Sequence, residues 1–150
     1  MPSTHRRTDE QILHDATAHC REKGLRLTAG RRRVLEVLAC RGDAVKAYDV
    51  LDAVTEPGRK AMPPVVYRAL DFWIEQGFVH KIESLNAYFS CGHPLHNHGC
   101  QLLVCSHCGK TVEVCDGDLR EQLAETARRN GFEYGRVVLE IHGACPACCS

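Results

Sequence analysis

The sequence predicts an α+β protein of two parts: a helical N-terminal half that ends in a β-hairpin, and a smaller C-terminal α/β half. Apolar residues with helical spacing, bounded by caps and breakers, recur through the first half. Two strand-like runs then flank a turn at residues 84–86. Beyond residue 100, short apolar strands surround a single amphipathic helix. The change of pattern places the boundary near residues 84–92.

The first two helices are predicted from their caps. Asp9 is positioned to cap a helix that runs through Lys23 and ends at Gly24. Thr28 is positioned to cap a second helix, which Gly42 ends. Short oxygen-bearing side chains accept from the first amides of a helix, and glycine adopts the left-handed conformation that closes one. The residues that we expect on the buried faces are Ile12, Ala16, Cys20, Val34, Leu35 and Leu38.

Two further helices lead into the hairpin. One is expected at residues 47–55, and the next begins at Pro63-Pro64, since proline suits the first helical turn, and ends at Gly77. Strands are then expected at residues 78–82 and 87–90. Helices followed by a β-hairpin are the outline of a winged helix-turn-helix, in which the hairpin is the wing. The sequence therefore predicts a winged-helix domain over residues 1–85 and a hinge at residues 86–92.

The C-terminal domain, residues 93–150, is expected to contain strands and one helix. The strands are expected at residues 102–104, 111–114 and 136–141. Asp116 or Asp118 is positioned to cap the helix, which Gly131 ends. A unit of roughly 60 residues buries little apolar surface, so we expect a metal ion or a partner subunit to complete its stability.

Composition sets broad limits. The chain has 150 residues, with 19 Lys and Arg against 19 Asp and Glu. Its formal net charge is therefore zero and does not indicate a nucleic-acid partner. The basic excess lies early, around Arg31, where it suits either phosphates or a solvated helix face. No apolar stretch is long enough to span a membrane, and the N-terminal segment does not resemble a secretory signal. We therefore expect a cytoplasmic protein whose paired cysteines hold metal.

Two Cys-x-x-Cys pairs predict a zinc site. They are separated by 36 residues and comprise Cys105, Cys108, Cys145 and Cys148. Four thiolates in tetrahedral geometry favour zinc. The rival interpretation is a thiol redox enzyme, because Cys-Pro-Ala-Cys resembles a redox motif. Such motifs precede a helix that lowers the thiol pKa, whereas only two residues follow Cys148 in this sequence. We therefore expect no enzyme activity.

A cluster of imidazoles and one thiol predicts a second metal site. Its candidates are His80, Cys91, His93, His96 and His98, with a carboxylate such as Glu113 as a further ligand. Composition does not say which histidines bind. Three more cysteines, at positions 100, 115 and 149, are either substitute ligands or oxidation targets, and we assign them no role. Cys20 and Cys40 are expected to pack as small core residues.

The chain resembles the ferric uptake regulator family, and most closely its zinc uptake regulator branch. The likeness runs through LRLTAGRRRVLEVL, AYDVLDAV, PPVVYRALDFWIEQGFVHKIES, NAYFSC, the spacing of His98 to the first cysteine pair, and the terminal HGACPAC. It implies a homodimer that binds a palindromic operator in double-stranded DNA when loaded with zinc, and represses zinc uptake genes. It implies neither a membrane partner nor a small-molecule substrate.

The resemblance also implies two zinc ions per subunit. One is a structural zinc at the four paired cysteines. The other is a regulatory zinc at His80, Cys91, His98 and Glu113, which leaves His93 and His96 as loop residues. Some relatives carry a third site, but Gly99, Gln101 and Arg120 stand where its ligands are expected. Cys91 likewise departs from the histidine and carboxylate site of the peroxide-sensing branch.

The predicted recognition helix carries the candidate DNA contacts. Arg68 is expected to pair with guanine, and Tyr67 to meet a phosphate or a thymine methyl group. Packing at the helix start is the alternative role of Tyr67. Tyr48 and the basic residues around Arg31 are expected to contact the backbone. The functions left open are a regulator of the same family that responds to iron or another divalent metal, and a zinc-stapled protein-interaction module.

Overall fold

The architecture was obtained as a computed structural model that describes residues 7–59, 62–94, 100–134, 137 and 139–149. The chain divides into two compact units, one within residues 6–95 and one within residues 96–150. In chain order the elements are α1 (Asp9–Lys23), α2 (Ala29–Arg41), β1 (Val45–Lys46), α3 (Ala47–Val54), α4 (Pro63–Glu75), β2 (Val79–Ile82), β3 (Ala87–Ser90), β4 (Cys100–Cys105), β5 (Thr111–Cys115), α5 (Gly117–Arg129) and β6 (Leu139–Gly143). The predicted α+β class is confirmed.

The helices of the first unit pack around one apolar core. The predicted inward residues of α1 and α2 are all buried, as are Val66, Leu70 and Trp73 on α4. The Trp73 indole Nε1 donates to the carbonyl oxygen of Arg31 at 2.7 Å, so the one polar atom of this ring is satisfied inside the core. The ring of Trp73 also meets Phe78 edge to face, with centroids 5.4 Å apart. The packing fixes α4 against α2 with its opposite face outward.

One predicted helix cap is wrong. Thr8, and not Asp9, caps α1: its hydroxyl oxygen accepts from the Gln11 backbone amide at 3.2 Å. The Gln11 side-chain oxygen in turn accepts from the Thr8 amide at 3.0 Å, which completes a capping box. This reciprocal pair satisfies two backbone amides. The helix therefore begins at Asp9, one residue earlier than a cap at Asp9 predicts. Thr28 caps α2 as predicted.

The wing is a three-stranded sheet in the order β1-β3-β2. The predicted hairpin is confirmed, with β2 antiparallel to β3. Its turn is a short 3-10 helix at Glu83–Leu85, and Asn86 follows in the left-handed conformation at φ 45°. The two-residue strand β1, which is too short to give a pattern, pairs with β3. The predicted hinge, residues 86–92, therefore includes a strand of this sheet, while the domain assignment itself stays a prediction.

The second unit contains a three-stranded sheet in the order β5-β4-β6. The central strand β4 is antiparallel to β5 and parallel to β6. It begins at Cys100, two residues earlier than predicted, because pairing continues on both sides through the buried Gln101. Asp116 caps α5 by accepting from the amides of Asp118 and Leu119. In the parts of the chain that the structure describes, no helix combines the length and apolar character needed to cross a membrane.

Candidate metal centres and nucleic-acid face

The topology of the second unit brings the two cysteine pairs together. Strand β4 ends at Cys105, which is the parallel register partner of Gly143 at the end of β6. The Ser106 amide donates to the Gly143 carbonyl at 2.8 Å and ties the two strand ends together. Cys145 follows two positions later. Parallel strands end at the same edge of a sheet, so both pairs lie in turns at that edge.

The four sulfur atoms have the spacing of a tetrahedral zinc centre. The Sγ atoms of Cys105, Cys108, Cys145 and Cys148 all lie within 4.8 Å of one another. The Sγ atoms of Cys108 and Cys145 are 3.7 Å apart. A Zn–S bond of ~2.3 Å in a tetrahedron separates sulfurs by about 3.8 Å. The donor set therefore fits zinc in both chemistry and geometry.

The backbone around these sulfurs favours their ionised form unequally. Backbone amides of Cys108 and Cys145 donate toward the Cys105 sulfur and lower the pKa of Cys105 to about 5. The Cys145 amide lies 3.3 Å from that sulfur. Side-chain hydrogen bonds to the other three sulfurs, that of Cys145 first, raise the pKa of Cys148 to about 12. Four adjacent thiolates repel one another, so a divalent cation is the natural counter-ion for the set.

Two predicted regulatory ligands lie together in the first unit. His80 is on β2, and Cys91 directly follows β3. The Cys91 amide donates to the Phe78 carbonyl at 2.9 Å, which continues the pairing of the wing by one residue. This register places a ring nitrogen of His80 within 4.8 Å of the Cys91 sulfur. The thiol is buried, with 3% of its residue exposed. The wing thus presents one imidazole and one thiol side by side.

The second unit holds another predicted ligand, Glu113, beside two cysteines to which sequence reasoning assigned no role. A carboxylate oxygen of Glu113, on β5, lies within 4.8 Å of the Cys100 sulfur. The Cys115 sulfur donates to Glu113 Oε1 at 4.0 Å. Burial is the largest cause that raises the pKa of Cys115. The signal for this cluster was the alternation of β5, since residues two apart share a face. His98 lies outside the described residues.

The outer face of α4 carries the predicted DNA contacts. Tyr67 and Arg68 are exposed, and so is Tyr48 on α3, at 76%. Val65 is also exposed, one turn before Arg68, a position that sequence reasoning missed. The guanidinium of Arg31 instead stacks 3.8 Å from the centroid of the Phe72 ring and donates to the Arg26 carbonyl.

An apolar row crosses the sheet of the second unit. Leu103 on β4 is the register partner of Val112 on β5 and of Ile141 on β6. Their exposed fractions are 38%, 40% and 49%. The alternate residues of β4, Leu102 and Val104, are buried, so the two faces of the strand differ as its period of two requires. The row thus places three partly exposed aliphatic side chains side by side on one face of the sheet.

Comparison with known proteins finds relatives that match most of the chain. The model of the ferric uptake regulator family matches residues 22–142. The zinc uptake regulation protein of Escherichia coli (strain K12) is 39% identical over 144 residues, which cover 94% of this chain and 83% of that protein. A zinc uptake regulator complexed with zinc and DNA has a TM-score of 0.85 at 38% identity and covers 95% of both chains. The crystal structure of holo XcZur has a TM-score of 0.81 at 42% identity, covering 92% of this chain and 96% of that one.

Proposed function

Because the chain belongs to the ferric uptake regulator family, we propose that it is a zinc-responsive transcriptional repressor that binds operator DNA when loaded with zinc. The observation that carries this function is its likeness, over nearly the full length, to a zinc uptake regulator solved with zinc and DNA. The predictions of the family, the fold class and a regulator without enzyme activity are confirmed. A repressor must reach chromosomal DNA, so the proposal places the protein in the cytoplasm.

The four paired cysteines are the structural zinc site of this proposal. Their sulfurs have tetrahedral spacing, and they lie at the strand ends of a unit with few buried apolar side chains. Zinc held by these cysteines would cross-link β4 to the segment after β6 and would supply no redox chemistry. We therefore assign this ion a role in holding the second unit folded, and not in sensing.

The regulatory zinc is assigned to His80, Cys91, His98 and Glu113. The wing supplies an adjacent imidazole and thiol, and β5 supplies the carboxylate. Because ligands come from both units, zinc binds best when the DNA-binding unit is held in one orientation toward the rest. Zinc therefore shifts the population toward a state whose two recognition helices enter successive major grooves. By linkage, DNA tightens zinc binding by the same factor.

The ligand types favour zinc over iron. Two imidazoles, one thiolate and one carboxylate suit a tetrahedral ion, whereas iron(II) prefers a larger set of nitrogen and oxygen ligands. The test is a titration of operator binding, read by fluorescence anisotropy, with zinc and with iron(II) under anaerobic conditions. We expect DNA binding to saturate with zinc at concentrations where iron(II) has little effect. Half-saturation by iron(II) at the lower concentration would overturn the choice of metal in favour of an iron-responsive regulator.

Arg68 is proposed to read a base from the exposed face of α4. The Arg68→Ala variant is expected to weaken operator binding by ~1–3 kcal/mol, because a bidentate contact to guanine is lost. The control is random duplex DNA of equal length, on which the loss should be clearly smaller. An equal loss on both duplexes would show that Arg68 contacts phosphate only. Arg31, already stacked on Phe72, is retained as a backbone contact together with Tyr48 and Tyr67.

The homodimer is assigned to the apolar row on the β5-β4-β6 sheet. A two-fold dimer matches a palindromic operator, and the row offers a self-complementary apolar surface. The Leu103→Asp variant should therefore shift the zinc-loaded protein from dimer to monomer in sedimentation velocity. Glu121→Gln on the exposed part of α5 is the control and should remain dimeric. A Leu103→Asp protein that stays dimeric at micromolar concentration would remove this face from the interface.

A further inference from the structure

A second pair of thiols lies in the sheet, outside both proposed ligand sets. Cys100 on β4 and Cys115 on β5 are direct register partners in the antiparallel pair. Their Sγ atoms are 2.6 Å apart, and both residues are partly exposed. The antiparallel pairing of the two strands continues from this pair as far as Val104 and Thr111. The pair is thus held in place by the sheet itself.

We propose that Cys100 and Cys115 are an oxidation site that a hydroperoxide converts into a cross-strand disulfide. Directly opposed residues of antiparallel strands have Cα atoms ~4.5–5.5 Å apart, which lies within the span of about 4.4–6.8 Å that a disulfide bridges. The sulfurs need to approach by only about half an ångström to reach the bonding distance of ~2.05 Å. The sheet therefore does not have to open for the bond to form.

The reaction balances with hydrogen peroxide as the oxidant. One thiolate attacks a peroxide oxygen, the O–O bond breaks, and a sulfenic acid forms as the other oxygen leaves and takes a proton to become water. The second sulfur then attacks the sulfenic sulfur, the S–S bond forms, and a second water leaves. Two thiols are oxidised to one disulfide, and one peroxide is reduced to two waters. A small-molecule thiol reverses the step by exchange.

Several other cysteines differ from this pair in burial or in their proposed role. The four paired cysteines are zinc ligands in the proposed function, which occupies their sulfurs. Cys20 is buried in the helical core. Cys149 is exposed, and its sulfur donates to the Ala144 carbonyl at 3.2 Å. Cys100 and Cys115 face each other as register partners outside the proposed zinc ligands, so we expect these two thiols to be lost together.

The test treats the full-length, zinc-loaded protein with hydrogen peroxide, blocks the remaining thiols with N-ethylmaleimide and maps tryptic peptides without reduction. Cleavage after Lys81, Lys110 and Arg120 separates the two strands, so the bond appears as a link between peptides 82–110 and 111–120. Fragmentation of the linked species should place the bond at Cys100 and Cys115. We expect the link in wild type and in the matched control Cys149→Ser, with the zinc content of the four-cysteine centre unchanged.

Two variants, each of which removes one sulfur of the pair, test whether the disulfide joins Cys100 to Cys115. Cys100→Ser and Cys115→Ser should each abolish the link while the zinc content and circular dichroism of the protein stay as in wild type. A link between peptides 82–110 and 111–120 that persists in Cys100→Ser would join Cys115 to another cysteine of the first peptide and would overturn the proposal. Oxidation that instead pairs zinc-centre cysteines and releases metal would also overturn it. The readout needs no DNA, so its failure is distinguishable from a failure of the proposed function.

Discussion

Replacing Cys108 by serine should release the metal from the four-cysteine centre and unfold the second unit. Structural zinc contributes an apparent ~10–16 kcal/mol of binding free energy in small zinc modules, while whole domains are stable by only ~5–15 kcal/mol. The described side chains buried in this unit are few: Gln101, Leu102, Val104, Cys105, Thr111 and Ala124. The apolar packing therefore cannot offset the loss of the ion, and the proposed dimer should be lost with the fold.

The measurement combines zinc content by mass spectrometry with thermal unfolding followed by circular dichroism. Cys108→Ser should lose the metal of the structural centre together with the unfolding transition of the second unit. The matched control is Cys149→Ser, because this exposed cysteine neighbours Cys148 but lies outside the sulfur cluster. It should bind zinc and unfold as wild type does. A Cys108→Ser protein with full zinc content and an unchanged Tm would contradict the structural assignment.

Replacing Cys91 by serine should abolish the zinc response of DNA binding while leaving the protein folded and the proposed dimer intact. A serine hydroxyl is a poor zinc ligand in place of a thiolate. Loss of a supporting residue outside the ligand set costs ~10–100-fold in metal affinity, so loss of a direct ligand should exceed about 100-fold. Cys91 lies beyond the last strand of the wing and is not part of the helical core, so the substitution spares that packing.

The assay follows operator binding by fluorescence anisotropy as zinc is raised at fixed protein concentration. His98→Ala should give the same loss, since it removes another ligand of the proposed site. His93→Ala is the matched control: it removes a nearby imidazole that the ligand assignment leaves out, and its zinc response should equal that of wild type. An unchanged zinc dependence in both Cys91→Ser and His98→Ala would refute the ligand set.

Much of the fold could be predicted because its signals are local. Helix faces such as Ile12, Ala16 and Cys20 follow from spacing, and the wing follows from alternating residues around a turn. The wrong cap shows the limit of such signals. Thr8 and Asp9 are both good caps, and the choice is made by Gln11 three residues later, whose side chain closes the reciprocal bond to Thr8.

Less of the site could be predicted from the sequence, because local patterns do not specify which residues of two paired strands face each other. The four paired cysteines were identifiable from spacing alone. The facing of Cys100 and Cys115 depends on the register of β4 with β5, and a shift of one residue would turn one of them to the opposite face. The stacking of Arg31 on Phe72 likewise depends on how α2 and α4 cross, which periodicity does not specify.

The parallel pairing of β4 with β6 has a consequence for how the protein matures during synthesis. Strands β4 and β5 are neighbours in sequence and close a short loop, so this hairpin can form as soon as it leaves the ribosome. Its turn presents Cys105 and Cys108, half of a tetrahedral centre, before β6 exists. The β6 segment arrives last and must close the longest loop of the unit. Because Cys145 and Cys148 follow β6, the four-cysteine centre can close only after β6 has arrived, so zinc supply at that stage should govern how much of the proposed repressor folds.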